Sequence, residues 1–169
     1  MKKLLLLLGL CLCFTSCASG YKKVSGNVYK KYDRFQDCTF YESRAKGSDN
    51  FYIYAVETNG TKYLRIVFRY DGKRWIFFDK AFVINKGGDR FEFGVNTAEK
   101  TTDSYIDGKK VMVKEIADIP IDDDEKIQNL YQVLQGEKIE LCLQGEGQKI
   151  YKIKKTDALL EIIEFYSTL

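Results

Sequence analysis

Phe51–Asn85 reads FYIYAVETNGTKYLRIVFRYDGKRWIFFDKAFVIN. Three β-runs are separated by Asn59-Gly60 and Asp71-Gly72, residues that accept positive φ cheaply and so suit the turns that join antiparallel strands. If both loops hold two residues, Thr58 faces Thr61 and Tyr70 faces Lys73. Counting by twos then sorts every side chain to one face or the other. One face collects Phe51, Ile53, Ala55, Leu64, Ile66, Phe68, Trp75 and Phe77, almost purely apolar. The other collects Tyr52, Tyr54, Val56, Tyr63, Arg65, Val67, Arg69, Arg74, Ile76 and Phe78. The first is expected to be the core face.

The second face fits two readings. It is the half-wet outer side of an antiparallel sheet, on which tyrosine rings and arginine stems cover the backbone. The competing reading is a recognition surface, because Tyr and Arg are enriched among residues that dominate binding energy. Tyr52, Tyr54, Tyr63, Arg65, Arg69 and Arg74 are therefore the candidate contact residues. Arg69 is expected directly opposite Arg74, an unfavourable pair unless an anion or water lies between.

At 169 residues, the chain suits one domain behind a leader, and 45% hydrophobic residues with a single proline favour an ordered body. Twelve tyrosines and eleven phenylalanines favour strands. The 27 basic residues include Lys2 and Lys3 of the leader, against 24 acidic ones. The body is near neutrality, so no general attraction to nucleic acid or anionic lipid follows. There is no histidine, which excludes Ser-His and Cys-His catalysis and histidine-ligated zinc.

Met1–Cys17 reads MKKLLLLLGLCLCFTSC. Two lysines, an apolar run from Leu4 to Phe14 and small residues make the three-part pattern of a signal peptide. The run is too short to span a bilayer as a helix. Phe14-Thr15-Ser16-Cys17 resembles the lipobox of bacterial lipoproteins, with phenylalanine where leucine is usual. The resemblance covers the leader alone. It implies cleavage between Ser16 and Cys17 and lipid on the Cys17 sulfur and new amine, hence a palmitate-type membrane anchor in the cell envelope. Ala18 rather than aspartate after the cysteine implies the outer membrane by analogy with enteric sorting. Ordinary secretion is the competing reading: Ser16-Cys17-Ala18 also fits cleavage after Ala18, which leaves a soluble protein.

The expected organisation is a signal peptide over residues 1–16, a lipidated N-terminus and tether over 17–34, and one α+β domain over 35–169. Within it, Gln36–Glu42 reads as a strand and Ser43–Asn50 as a loop. Lys86-Gly87-Gly88-Asp89 turns into a strand at Arg90–Val95. Asp107-Gly108 is expected to close a hairpin between Ser104–Ile106 and Lys110–Glu115. Asp122 and Glu125 resemble a capping box for a helix whose stripe is Ile127, Leu130, Tyr131 and Leu134, ended by Gly136. Lys138–Gln144 and Lys149–Lys154 read as strands. Thr156 is expected to cap a last helix carrying Leu159, Ile162, Ile163 and Tyr166 on one side. Lys149, Lys152, Lys154 and Lys155 read as a solvated strand face or a membrane-surface patch.

Strand runs followed by helices, without βαβ alternation, predict an α+β fold: a mainly antiparallel meander of about eight strands with two C-terminal-half helices on one face. A lipocalin-like β-barrel with a terminal helix is the alternative. Cys38 and Cys142 are a candidate disulfide in an oxidising envelope, or two unpaired core residues. No cofactor, no metal and no catalytic residue is expected, and Asp79 and Glu92 read as surface charges. The functional expectation is a binding or scaffolding module of the envelope, with an envelope protein as partner. A carrier of small apolar ligands is the alternative, and it requires a cavity of several hundred Å3 lined by Phe and Ile.

Overall fold

The structure, a computed structural model, describes residues 20–44 and 48–169. The expected leader, with the expected cleavage between Ser16 and Cys17 and the expected lipidation at Cys17, lies outside the described residues. Strands β4 (Phe51–Thr58) and β5 (Thr61–Gly72) pair in the expected register, from Thr58 opposite Thr61 to Phe51 opposite Phe68. Asn59 and Gly60 both take positive φ, 50° and 74°, as such a tight hairpin requires. Phe51, Ile53, Ala55, Leu64, Ile66 and Phe68 are buried together, and the Phe51 and Phe68 rings stack at 5.5 Å.

The second expected hairpin does not form. The free edge of β5 is taken by β9 (Lys110–Ile121), paired from Leu64 opposite Ile121 to Gly72 opposite Val113. This twelve-residue partner turns Val113, Glu115, Ala117, Ile119 and Ile121 inward. With both edges of β5 filled, residues 73–79 leave the sheet as a loop. Its parity is the reverse of that expected: Ile76 and Phe78 are buried, Trp75 is half-buried and Phe77 is 45% exposed. The expected opposition of Arg69 and Arg74 disappears as well, for Arg69 lies opposite Ile116.

A buried carboxylate holds this loop. Glu115 is fully buried and accepts hydrogen bonds from the backbone N–H groups of Ile76, Phe77 and Phe78 at 2.7, 2.9 and 3.1 Å. Lys100 reaches the same place, donating from Nζ to the Phe78 carbonyl at 3.0 Å with the carboxylate 3.8 Å away. Charge-assisted bonds of this kind offset the large cost of removing a carboxylate from water. Phe77 takes φ 48°, a left-handed conformation that a bulky side chain disfavours. The converging N–H groups impose it. Beneath the loop runs the bend at residues 145–147. A side chain at Gly145 would collide with the Ile76 and Phe77 carbonyls.

Beyond β4, the sheet continues through β3 (Cys38–Ser43), β2 (Val28–Asp33) and β1 (Lys22–Ser25). The stretch expected as a tether thus supplies two strands from Lys22 onward. Alternation is hidden there because Lys and Tyr occupy both faces of edge-side strands. Past β9 lies β8 (Lys100–Asp107), giving the order β1-β2-β3-β4-β5-β9-β8. The β8–β9 loop is Gly108-Lys109, one residue later than expected, and β8 is eight residues long rather than three. All of β8 after Lys100 is exposed, and the hairpin overhangs the core with Ile106 77% exposed.

The second sheet contains β6 (Lys80–Ile84), β7 (Arg90–Gly94), β10 (Glu140–Gln144) and β11 (Gln148–Lys152), in the order β11-β10-β6-β7. Helices α1 (Asp124–Leu134) and α2 (Thr156–Tyr166) complete an α+β fold with eleven described strands, all paired antiparallel. The strands form two separate sheets and no closed barrel, so the lipocalin-like alternative is excluded.

Asp123, not Asp122, caps α1, accepting from the N–H groups of Glu125 and Lys126. Strand β9 extends to Ile121, which moves the helix start by one residue. Helix α1 buries Ile127, Leu130, Val133 and Leu134 against β6 and β7, while Tyr131 lies at the margin with its hydroxyl on Glu164 at 2.6 Å. Thr156 is the first residue of α2 rather than its cap; Lys155 holds that position with no side-chain acceptor to offer. Ala158, Leu159, Ile162 and Ile163 bury against β3 and β4, and the two helices touch. The inner faces of both sheets and both helices share one apolar core. Cys38 and Cys142 are free, buried thiols on different sheets, so the candidate disulfide is not formed.

Removing the acceptor for three buried N–H groups is costly. Glu115→Ala is expected to lower the unfolding free energy by about 3–5 kcal/mol, the range for breaking a buried charged network. Glu115→Gln should cost less, since one amide oxygen still serves the Ile76 and Phe77 N–H groups, both of which bond the same carboxylate oxygen. Urea titration of both variants, with amide exchange at residues 76–78, measures the ordering; equal losses would contradict it.

Candidate contact face

Parity along β4, β5 and β9 brings part of the tyrosine and arginine set to one surface. Tyr54 lies opposite Arg65, and Arg65 opposite Pro120; Tyr52 lies opposite Val67, and Val67 opposite Asp118. The second sheet and both helices share the core of the inner face, leaving this outer side of β4, β5 and β9 as the surface. At its centre Asp118 joins the two rows. Tyr54 donates its hydroxyl to Asp118 Oδ2 at 2.7 Å, and Arg65 Nε donates to Oδ1 at 2.9 Å. Arg65 Nη2 also reaches the Asp118 carbonyl at 3.0 Å.

Arg69 is held separately. Its guanidinium spans both oxygens of Asp71, two residues on along the same face, at 2.5 and 3.3 Å. Tyr105 from β8 adds a hydroxyl to Asp71 at 3.4 Å. The guanidinium planes are therefore fixed, and little side-chain entropy remains to be lost on contact. Tyr52, 36% exposed, lies beside Tyr54 with ring centroids 6.4 Å apart, and Phe40 approaches Tyr54 from β3 at 5.9 Å. Tyr63 is half-buried opposite Val56.

The structure thus groups Tyr52, Tyr54, Tyr63, Arg65 and Arg69, though Tyr54 is itself buried. Arg74 is not among them. It is an exposed residue of the 73–79 loop, where its carbonyl accepts from the Tyr70 hydroxyl at 2.8 Å. Asp118 and Asp71 are the residues that sequence reading missed. Asp71 looked like a turn residue, and Asp118 could be placed only by knowing that β9 is the partner of β5.

Two surface hollows adjoin other parts of the body. One, of about 200 Å3, lies at the rim of this face, where Glu42, Ser43, Asp49, Tyr52 and Arg69 surround Leu159. The other, of about 360 Å3, runs between β7 and α1 among Asp89, Arg90, Glu92, Asn129 and Gln132. Neither is the Phe- and Ile-lined chamber that a carrier of apolar molecules requires. Glu92 is tied to Arg90 at 2.9 Å and to Lys80 at 3.7 Å. Lys149, Lys152, Lys154 and Lys155 are all exposed. Among the described residues no helix is long and apolar enough to cross a membrane.

Comparison of the chain with protein-family models, with curated proteins and with solved structures finds no match.

Burial, and then the bond to Asp118, push the Tyr54 phenol well above its ordinary value of 10.0. Because the folded state holds this proton more tightly than the unfolded chain, its contribution is complete below pH 10. It is lost as pH climbs from there toward the folded value. Tyr54→Phe is therefore expected to weaken the fall in stability above pH 10, read from urea midpoints at stepped alkaline pH. An unchanged slope would contradict the bond to Asp118.

Proposed function

We propose that this protein is a non-enzymatic binding or scaffolding module of the bacterial cell envelope, anchored through lipid on Cys17, with its contact surface on the outer side of β4, β5 and β9. The observation that carries this reading is the pair of pre-set arginines, Arg65 on Asp118 and Arg69 on Asp71, flanking the exposed Tyr52 ring. Rigid tyrosines and oriented guanidiniums give contact energy at low entropic cost. The ion pairs are partly solvated, with side-chain exposures of 28% and 38% for Arg65 and Asp118, so they are worth about 1 kcal/mol or less to stability. Their arrangement serves orientation more than folding.

A well-filled core argues for a binder over a carrier, since the largest buried side chains, among them Phe51, Phe68, Phe78 and Leu130, are fully enclosed. The anchor reading rests on the leader alone: an apolar run, Thr-Ser and a cysteine. Two or three acyl chains would give stable attachment where one is marginal.

Detergent extraction from native membranes, with affinity recovery and mass spectrometry of the Cys17 peptide, tests both parts. Cys17→Ser is expected to move the protein to the soluble fraction, and retention on the membrane would remove the anchor. Arg65→Ala and Arg69→Ala are expected to reduce recovery of co-purifying partner while leaving the far-ultraviolet dichroism unchanged. Unaltered recovery would exclude this face.

A further inference from the structure

The end of the large sheet at which β1 begins has a distinct chemistry. Lys22 lies opposite Lys30 and Lys23 opposite Tyr29, so the start of β1 sits beside the lower half of β2. From there β2 runs on to Asp33, and the chain turns through residues 34–37 into β3. Phe35 at this turn is 90% exposed, and Tyr21 and Tyr32 nearby are about half exposed. The turn is firmly built. Asp33 Oδ1 accepts from the N–H groups of Phe35 and Gln36 at 2.9 and 3.3 Å, and Tyr32 donates its hydroxyl to Asp37 at 2.6 Å. Asp37 takes φ 49° to close it. An apolar ring is thus held out into solvent by a rigid support.

Basic residues line the strands behind that ring. Lys22, Lys23, Lys30, Lys31 and Arg34 lie in this corner; its acids Asp33 and Asp37 are engaged in shaping the turn, and Glu57, opposite Thr39 on β4, accepts from the Tyr41 hydroxyl at 2.8 Å. Lys31 lies over the Tyr21 ring at 5.7 Å and Arg34 over Phe35 at 5.3 Å. The acidic run Asp122–Glu125 follows Ile121, which pairs with Leu64 two strands further along the sheet. At about 4.8 Å per strand, β9 is roughly 14 Å from β3, beyond the Debye length of about 8 Å at physiological salt. The near-neutral body therefore has a basic corner and an acidic one.

Chain reach fixes which corner meets a membrane. Only three peptide steps separate Cys17 from Gly20. At about 3.3–3.6 Å per residue these span at most roughly 11 Å. A lipidated sulfur at the bilayer surface cannot hold the body far off, and the start of β1 must lie against the headgroups.

We propose that the β2–β3 turn, with Phe35 and Arg34 at its tip and Lys22, Lys23, Lys30 and Lys31 on the strands behind it, is a second membrane contact that seats the body on an anionic bilayer. This rests on the reading of Cys17 as lipidated. Phe35 and the two tyrosines enter the interface, where aromatic side chains concentrate. The cations attract anionic headgroups close to the surface. The β8–β9 hairpin, at the opposite end of the same sheet, points away from the membrane.

The test uses the full chain with its processed N-terminus, reconstituted into vesicles of phosphatidylglycerol and phosphatidylcholine carrying brominated acyl chains. Trp75→Phe removes the single native tryptophan, which stacks on Phe77 outside the fully buried core. Phe35→Trp and Ile106→Trp then report from opposite ends, with dichroism checking that each variant folds. Expected are a blue shift and bromolipid quenching at position 35, neither at position 106, and weaker quenching when phosphatidylglycerol is left out. Unquenched emission at position 35 from protein whose Cys17 peptide carries acyl mass would overturn the seating and leave the anchor standing. Equal quenching at both positions would overturn the orientation. An unacylated Cys17 peptide would remove the anchor and this inference together.

Discussion

Strand β5 has two edges, and a distant strand, not the next one in the chain, claims the second. The local choice would have been a hairpin at Asp71-Gly72, which closes a short loop at little entropic cost. The β9 pairing closes a loop of several dozen residues but adds a ladder of nine residue pairs with five inward side chains. Loop entropy rises only slowly with length, whereas ladder bonds and buried area grow with every residue added. Once β9 is in place, residues 73–79 lose their sheet partner. Their backbone donors must find another acceptor, and Glu115, carried inward on β9 itself, provides it.

That competition marks the boundary between what could be read in the chain and what could not. The Asn59-Gly60 hairpin was legible because turn chemistry and period-two patterning agree within one short stretch, and its register followed residue by residue. The helices were legible from their apolar stripes, with starts displaced by one position because neighbouring aspartates or a threonine offered equally good caps. The Trp75–Phe78 segment misled because alternating large apolar residues look alike in a strand and in a loop clamped over a core. Strands β1 and β2 were hidden for the opposite reason: lysines and tyrosines at a sheet margin show no clean alternation. The outer face was half legible. Its tyrosines and arginines followed from parity, but the carboxylates that orient them come from β9 and from a residue that reads as a turn.

The same arrangement gives the outer face its character. Asp118 and Asp71 neutralise the two arginines that would otherwise repel one another across a small patch, and they fix the planes of both guanidiniums. The surface is thereby polar, aromatic and rigid without a strong net field. Such a surface discriminates by shape and hydrogen-bond geometry more than by long-range attraction. The basic corner at β1 is its counterpart, with Lys22 and Lys23 exposed and one projecting ring at Phe35.

Strand β8 closes the sheet on one side and is itself closed by nothing described. An unsatisfied backbone edge of eight residues invites another chain to zip onto it, the route by which sheet proteins polymerise. Here the edge carries Asp103 and Asp107 and ends in the Lys109-Lys110 pair. Charged gatekeepers at such positions tax the desolvation that stacking would demand. The hairpin's solvent-facing charges thus act as insulation against edge-to-edge joining of copies.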